Sequence, residues 1–255
     1  MKTHPSFATV IAVFAMALPA LAVDSGASAR QGSLFNGDSG DRVEAVYEGG
    51  PRPLSISISS QYQKRGVVYG DSDFTTEWRV RHIYSSIGYD IRPWLTVEGG
   101  VGESDLSNNG DTRDSDLEWM GGLQFRLMDY MLVEPPIGDD TYWFGLDGHV
   151  QYTGSQSEGG QGDIDWSEWF GSLTASLTTR PERYGFMDRI TLYFGPAYSM
   201  IRGKESGGFG RDIKEEQAIG FIGGLVFVPS DNISIKLEGQ QFDETSIGAS
   251  IGFHF

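Results

Sequence analysis

The last residues of the chain, Thr245–Phe255, read TSIGASIGFHF. Ile247, Ala249, Ile251, Phe253 and Phe255 are apolar, and the intervening Ser246, Gly248, Ser250, Gly252 and His254 are small or polar. Successive side chains of a strand point to opposite sides, so this alternation describes one strand with two unlike faces. Leu54 to Tyr62 repeats it, with Leu54, Ile56, Ile58 and Tyr62 set against Ser55, Ser57, Ser59 and Gln61. Working inward from these ends, the same period places further strands near 75–91, 94–103, 117–128, 142–153, 166–178, 189–201, 217–228 and 233–242.

The connectors alternate in character. If both ends of the array face the periplasm, the outward connectors 64–74, 104–116, 154–165 and 202–216 are long, acidic and Gly-rich, whereas the inward ones include the tight turns Arg92-Pro93 and Pro229–Asn232. Connectors long on one side and short on the other are expected of an outer-membrane barrel. The inward segments 129–141 and 179–188 are longer than that pattern asks, and the last outward hairpin, at 243–244, is very short. Aromatic residues fall near strand ends. Trp78, Trp119, Trp166, Trp169, Tyr62, Tyr152 and Tyr198 form an outer group, and Trp94, Trp143, Tyr89, Phe227, Phe253 and Phe255 an inner one. Two such groups are expected as belts at the two lipid–water boundaries.

Lipid offers no partner for backbone N–H and C=O groups, so a spanning sheet must close on itself. The expectation is an all-β fold: a closed antiparallel up-and-down transmembrane β-barrel over residues 54–255 with about ten strands, eight or twelve being one hairpin away. A soluble β-sandwich is the competing fold.

The segment before the strands reads differently. An apolar run from Phe7 to Leu18 follows Lys2 and His4, and Ala20-Leu21-Ala22 matches a cleavage site. The run is too short for a membrane helix, which needs ~20 residues, so 1–22 reads as a cleaved signal peptide. Residues 23–53 are small, polar and Gly-rich, and read as a flexible periplasmic lead-in. A net charge of −16 gives the bulk surface no electrostatic reason to bind nucleic acid. The absence of cysteine excludes disulfides, thiolate metal sites and a lipid anchor on Cys. No cofactor is expected.

With Ala20-Leu21-Ala22 and the final strand TSIGASIGFHF, residues 54–255 resemble the small bacterial outer-membrane barrels, the outer-membrane protein A-like and opacity-type group. The resemblance implies location in the outer membrane, contact with its lipids and lipopolysaccharide, and recognition by the barrel-assembly machinery through Phe253 and Phe255. It implies little about activity, since the group shares architecture more than function.

Alternation assigns Glu98, Glu118, Arg126, Asp147, His149, Glu168, Lys236 and Glu238 to the lumen, with Arg79 and Arg81 if the second strand begins in phase. Opposite charges in a narrow barrel are expected to pair and plug it. Asp147 and His149 point the same way on one strand, an arrangement able to serve acid–base chemistry, and omptin proteases are barrels that use acidic and His residues. These two, however, lie mid-strand and away from the rim where a protein substrate would arrive. Asp111, Asp114 and Asp116, or Asp163 and Asp165, could offer oxygen ligands to a divalent cation, without matching an EF-hand. Gly99–Gly102 and Gly207–Gly210 lack the Lys and the helix of a phosphate loop. No catalytic or metal residue is therefore assigned. The first functional expectation is a structural or surface-interaction barrel, followed by a narrow passive channel and then a barrel protease or lipid-modifying enzyme.

Overall fold

The computed structural model describes residues 53–70, 75–108, 111–112, 116–132, 141–157, 163–180, 188–206 and 212–255. Residues 1–52, which include the stretch read as a signal peptide and nearly all of that read as a lead-in, and Gly207–Gly210 lie outside them, as do the side chains of Asp111, Asp114 and Asp116.

The described residues form strands only: β1 (Leu54–Tyr69), β2 (Thr75–Arg92), β3 (Leu95–Asn108), the short β4 (Asp111–Thr112), β5 (Asp116–Leu132), β6 (Thr141–Ser157), β7 (Asp163–Arg180), β8 (Arg189–Ser206), the short β9 (Asp212–Glu215), β10 (Ile219–Ser230), β11 (Ile233–Gln241) and β12 (Thr245–His254). Each long strand pairs antiparallel with its neighbours in the chain. β12 pairs with β1 (Phe253 opposite Ile56), and β8 pairs with β10 (Tyr198 opposite Ile219), so the ring of ten strands is closed. The even count leaves Leu54 and Phe255 together at one end, where the Phe255 N–H donates to the Leu54 carbonyl at 2.9 Å. The opposite end is the outer end.

Strand lengths are unequal, and this shapes the molecule. β10, β11 and β12 have 12, 9 and 10 residues, whereas β1, β2 and β5 to β8 have 16 to 18. At ~3.3 Å per residue and ~40° of tilt, ten residues cross about 25 Å, the height of a barrel's apolar band. The longer strands therefore stand about 15–20 Å proud of the outer boundary. Much of what the sequence suggested as outer loops, including 64–69, 104–108 and 202–206, is strand in this extension. β9 closes the extension: Ile213 is opposite Gly203 of β8 and Tyr69 of β1, above the ends of the three short strands. The barrel thus has ten strands at the membrane and narrows to eight beyond it, counted over the described residues. The narrowing makes a step over the β11–β12 turn. There the Gly66 N–H donates to the Asp243 carboxylate, and the Lys64 N–H donates to Ser246 Oγ at 3.2 Å.

The two regions are built with opposite phase. Across the membrane Ile58, Leu173, Leu177, Leu192, Phe194 and Ile251 point out to lipid while serines, glutamines and charged groups point in. In the extension the outward face meets water, so the inward face carries the apolar set. Val67, Trp78, Val80, Leu106, Ile164, Trp166, Ile201 and Ile213 fill the eight-stranded end as one cluster.

Backbone approach is closest at Gly195. The β7–β8 register skips from Ser172–Ala197 to Ala175–Phe194, around Pro196, which has no N–H to give. A Cβ on Gly195 would run into the Leu173 carbonyl oxygen and lie 2.8 Å from Thr174 Cα. Because the obstruction is backbone, Gly195→Ala is expected to cost at least the ~1–3 kcal/mol of an overpacked site. The measurement is the folded fraction on a heat-shift gel after refolding into detergent, and wild-type yield would contradict it.

Candidate functional site

The lumen is a column of paired polar groups whose access to water declines outward. At the inner end Arg126 Nε donates to Asp147 Oδ1 at 3.3 Å, and Ser176 donates to the same carboxylate at 3.0 Å. Lys236 meets Glu238 at 2.6 Å, and Glu238 also accepts from the Tyr193 hydroxyl at 2.7 Å and the Gln240 amide at 3.1 Å. Facing the same cavity as Lys236 and Glu238, Glu98 accepts from Gln124 at 2.9 Å and lies 2.8 Å from His149 Nε2. Further out, His82 sits between Glu118 at 2.6 Å and Gln63 at 3.1 Å. Gln63 donates in turn to Glu168, which also accepts from Ser199. Each carboxylate is held by cations or donors, as a narrow enclosed space requires.

Above this layer lies Arg65. Its guanidinium is 3.5 Å from Glu168 and stacks over Phe242 at 3.7 Å to the ring centre. None of its three nitrogens has a hydrogen-bond acceptor among the described residues, so Glu168 is its main compensation. Above Arg65 the apolar cluster begins. Trp166 lies edge-on to His82 at 6.0 Å and to Trp78 at 6.4 Å, and Trp78 Nε1 donates to the Tyr69 hydroxyl at 3.0 Å.

Side-chain exposure falls in the same direction: 41% at Arg126, 12% at Glu98, 4% at Glu118, 2% at Arg65. The lumen is therefore a vestibule wet at the inner end and blind at the outer one. Midway it holds a cavity of about 180 Å³, lined by Ser59, Gln61, Tyr84, Glu98, His149 and Lys236 among others. The Gly99–Gly102 stretch is sheet beside it, and at Gly102 a side chain would collide with the Ile83 carbonyl oxygen and with Tyr84, its partner on β2.

Glu98, Glu118, Arg126, Asp147, His149, Glu168, Lys236 and Glu238 all sit on this inner face. The pair singled out for acid–base chemistry does not form: Asp147 goes to Arg126 and Ser176, and His149 goes to Glu98. No serine, threonine or lysine is hydrogen-bonded to His149 among the described residues. No three His, Asp or Glu are grouped to hold a metal ion among the described residues.

Two expectations need correcting. Arg79 and Arg81 face outward, because Trp78, Val80 and His82 occupy the inward positions of β2. Of the tryptophans assigned to the belts, Trp119 and Trp169 are 50% and 48% exposed on the lipid face, whereas Trp78 and Trp166 are 1% and 5% exposed inside the extension. Trp143 is also buried, near the Arg180 guanidinium. The outer belt that remains is Tyr62, Trp119, Tyr152, Trp169 and Tyr198, with Tyr152 in contact with both tryptophans. Sequence reading missed Arg65, Gln63 and His82 as lumen groups. The available signal was Trp78-x-Val80-x-His82 alternating with Arg79 and Arg81, an apolar-in phase opposite to that of the spanning strands.

A closed ring with an apolar outer wall and a polar lumen defines an outer-membrane-type β-barrel. No protein-family model and no curated protein matches the sequence. Among solved structures, the outer-membrane protease OmpT from Escherichia coli is similar at 13% identity, covering 80% of this chain and 97% of that one, with a TM-score of 0.39. The translocator domain of the autotransporter NalP from Neisseria meningitidis is similar at 10% identity, 82% and 90% coverage, and a TM-score of 0.38. The attachment invasion locus protein Ail of Yersinia pestis, in complex with the heparin analogue sucrose octasulfate, is similar at 16% identity, 80% and 99% coverage, and a TM-score of 0.30. Likeness at this level says nothing of role; the architecture rests on the strand pairing itself.

Proposed function

We propose that this chain is a closed, non-conducting barrel of the bacterial outer membrane that acts as a structural or surface-interaction protein through its outer extension. The observation that carries this reading is the apolar cluster from Val67 to Ile213, which fills the eight-stranded end and leaves the polar lumen blind. A solute path would need water along its whole length, and here the solvent-accessible part of the lumen stops beneath the buried Arg65 and Trp166. Fully satisfied carboxylates below the plug fit a role in holding the strands together, and among the described residues no serine or lysine is hydrogen-bonded to the His149–Glu98 pair at the cavity. Catalysis is not part of the role assigned. Phe253 and Phe255 lie outward on the closing strand, where the assembly machinery would read them.

The test is electrical. Full-length protein refolded into planar bilayers is expected to give no steady current in 1 M KCl at moderate voltage. Stable unitary openings of the unmodified protein would overturn the closed-lumen reading and favour a channel.

A further inference from the structure

Beyond the outer belt, charge is unevenly distributed around the wall. Among the described residues, the outward positions of β3, β5, β6 and β7 in the extension carry Glu103, Asp105, Asp163 and Asp165 and no Lys or Arg. Those of β8, β9, β1 and β2 carry Arg202, Lys204, Lys214, Lys64, Arg79 and Arg81. That is six of the chain's 19 basic residues on one face of a protein whose net charge is −16, so the placement is not a reflection of composition.

The register makes this a continuous surface. Lys64 is opposite Arg79 and Tyr62 opposite Arg81; Arg202 is opposite Lys214, which in turn is opposite Val68. All but Lys64 are exposed, and Lys64 is half-buried. Arg79 is held by Glu77, and among the described residues Arg202 reaches the Met200 sulfur, at 3.8 Å. Arg81, Arg202, Lys204 and Lys214 form no ion pair among the described residues. Glu77, Asp212, Glu216 and Glu244 lie on the same side, and Lys204 is opposite both Asp165 and Asp212, so the six cations leave the face basic on balance rather than uniformly so.

Its height decides what it meets. These residues stand outward of Tyr62 and Tyr198, exposed belt residues of β1 and β8, and of Ile219 and Ile247, exposed at or near the outer ends of β10 and β12. Those chains mark where hydrocarbon ends, and the patch therefore lies at headgroup level, on the side where the short strands leave a step beneath β9. It points sideways into the leaflet rather than upward into solution.

Resting on the reading of the chain as a spanning barrel, we infer that the β8–β9–β1–β2 face docks the phosphate groups of an outer-leaflet glycolipid. Arg81, Arg202, Lys64 and Lys214 supply charge-assisted donors to phosphate oxygens, and the acyl chains lie against Tyr62, Ile219 and Ile247 over β10–β12. The lipid would shield the cationic face and orient the molecule, with its acidic wall β3–β7 turned away.

The experiment titrates full-length protein, refolded into zwitterionic nanodiscs, with bis-phosphorylated lipid A, with lipid A stripped of phosphate, and with inorganic polyphosphate. The unmodified protein is expected to prefer phosphorylated lipid A by roughly tenfold or more, since each cation near an anionic lipid surface contributes about fivefold. The combined variant K64Q/R81Q/R202Q/K214Q loses the preference, and D105N/D165N keeps it. Equal binding of the phosphate-free lipid, an unchanged preference in the combined variant, or polyphosphate binding as tight as the lipid would each overturn the assignment. The last would mark a site for soluble polyanions. A heat-shift gel reports folding, and should the combined variant not fold, R81Q and K214Q alone must each weaken the preference severalfold. Current recorded from the same preparation reports on the lumen separately.

Discussion

Replacing Glu168 with Ala is expected to lower the barrel's unfolding free energy by about 3–5 kcal/mol, the cost of leaving a buried charge without its partner. Arg65 is 2% exposed, and its guanidinium nitrogens lack hydrogen-bond acceptors, so the carboxylate 3.5 Å away supplies most of what it lost from water. Glu168 also receives Gln63 and Ser199, so its removal orphans two further donors. The Phe242 ring cannot replace it, because cation–π attraction even when desolvated is worth only about 2 kcal/mol. The charge explanation has a specific consequence. In R65M/E168M the charge and its counter-charge leave together, and the loss should be smaller than in E168A. Urea titration in phospholipid vesicles, followed by tryptophan fluorescence, measures both. A double variant as unstable as the single one would mean that packing, rather than pairing, sets the energy of this layer.

The second large effect concerns the plug. Trp78→Ala and Trp166→Ala each remove a ring from a buried apolar cluster, and each is expected to cost about 3–5 kcal/mol. Trp166 is the lower of the two rings and stands against His82, the outermost layer of the polar column. Trp78 lies beyond it, tied to Tyr69. Removing both joins the hydrated lumen to the outer end through the space the indoles occupied. The expected result is a barrel that still folds, shown by its gel shift, and now passes ions in planar bilayers. Each single variant should show short bursts, because one ring still obstructs the shaft. Silence from the folded double variant would show that closure does not depend on this cluster.

The spanning part of the fold was legible because hydrocarbon and water impose a simple rule on alternate residues. TSIGASIGFHF and LSISISSQ state that rule directly, and the closing pair β12–β1 joins those two segments in register. The lumen charges could be assigned for the same reason, since within the membrane the polar side of a strand has only one place to go. Their partners could not. Asp147 and His149 share a strand, yet Asp147 bonds to the adjacent strands β5 and β7 while His149 reaches past β5 to β3, and which groups meet depends on register and stagger.

Errors concentrated where the solvent changes. Beyond the outer belt water lies outside the wall, and the dry space lies within. The same backbone continues with its pleat intact, but the apolar residues now belong to the inward face. Trp78 and Trp166 looked like belt residues, and Arg79 and Arg81 like lumen residues, because the rule of the membrane was carried past the membrane's edge. Charged positions such as Arg65 and Lys204 broke the alternation, and the extension was read as loop.

From sequence alone follow the strand-by-strand alternation, the even number of strands with both ends on one side, and the polar content of the lumen. All are local consequences of a two-residue period. Tertiary structure decided that the barrel narrows from ten strands to eight, that a dry cluster seals it, and that the basic residues gather on one face. Those features arise from unequal strand lengths and from β9 bridging β8 to β1, contacts between residues far apart in the chain whose meeting no local pattern encodes.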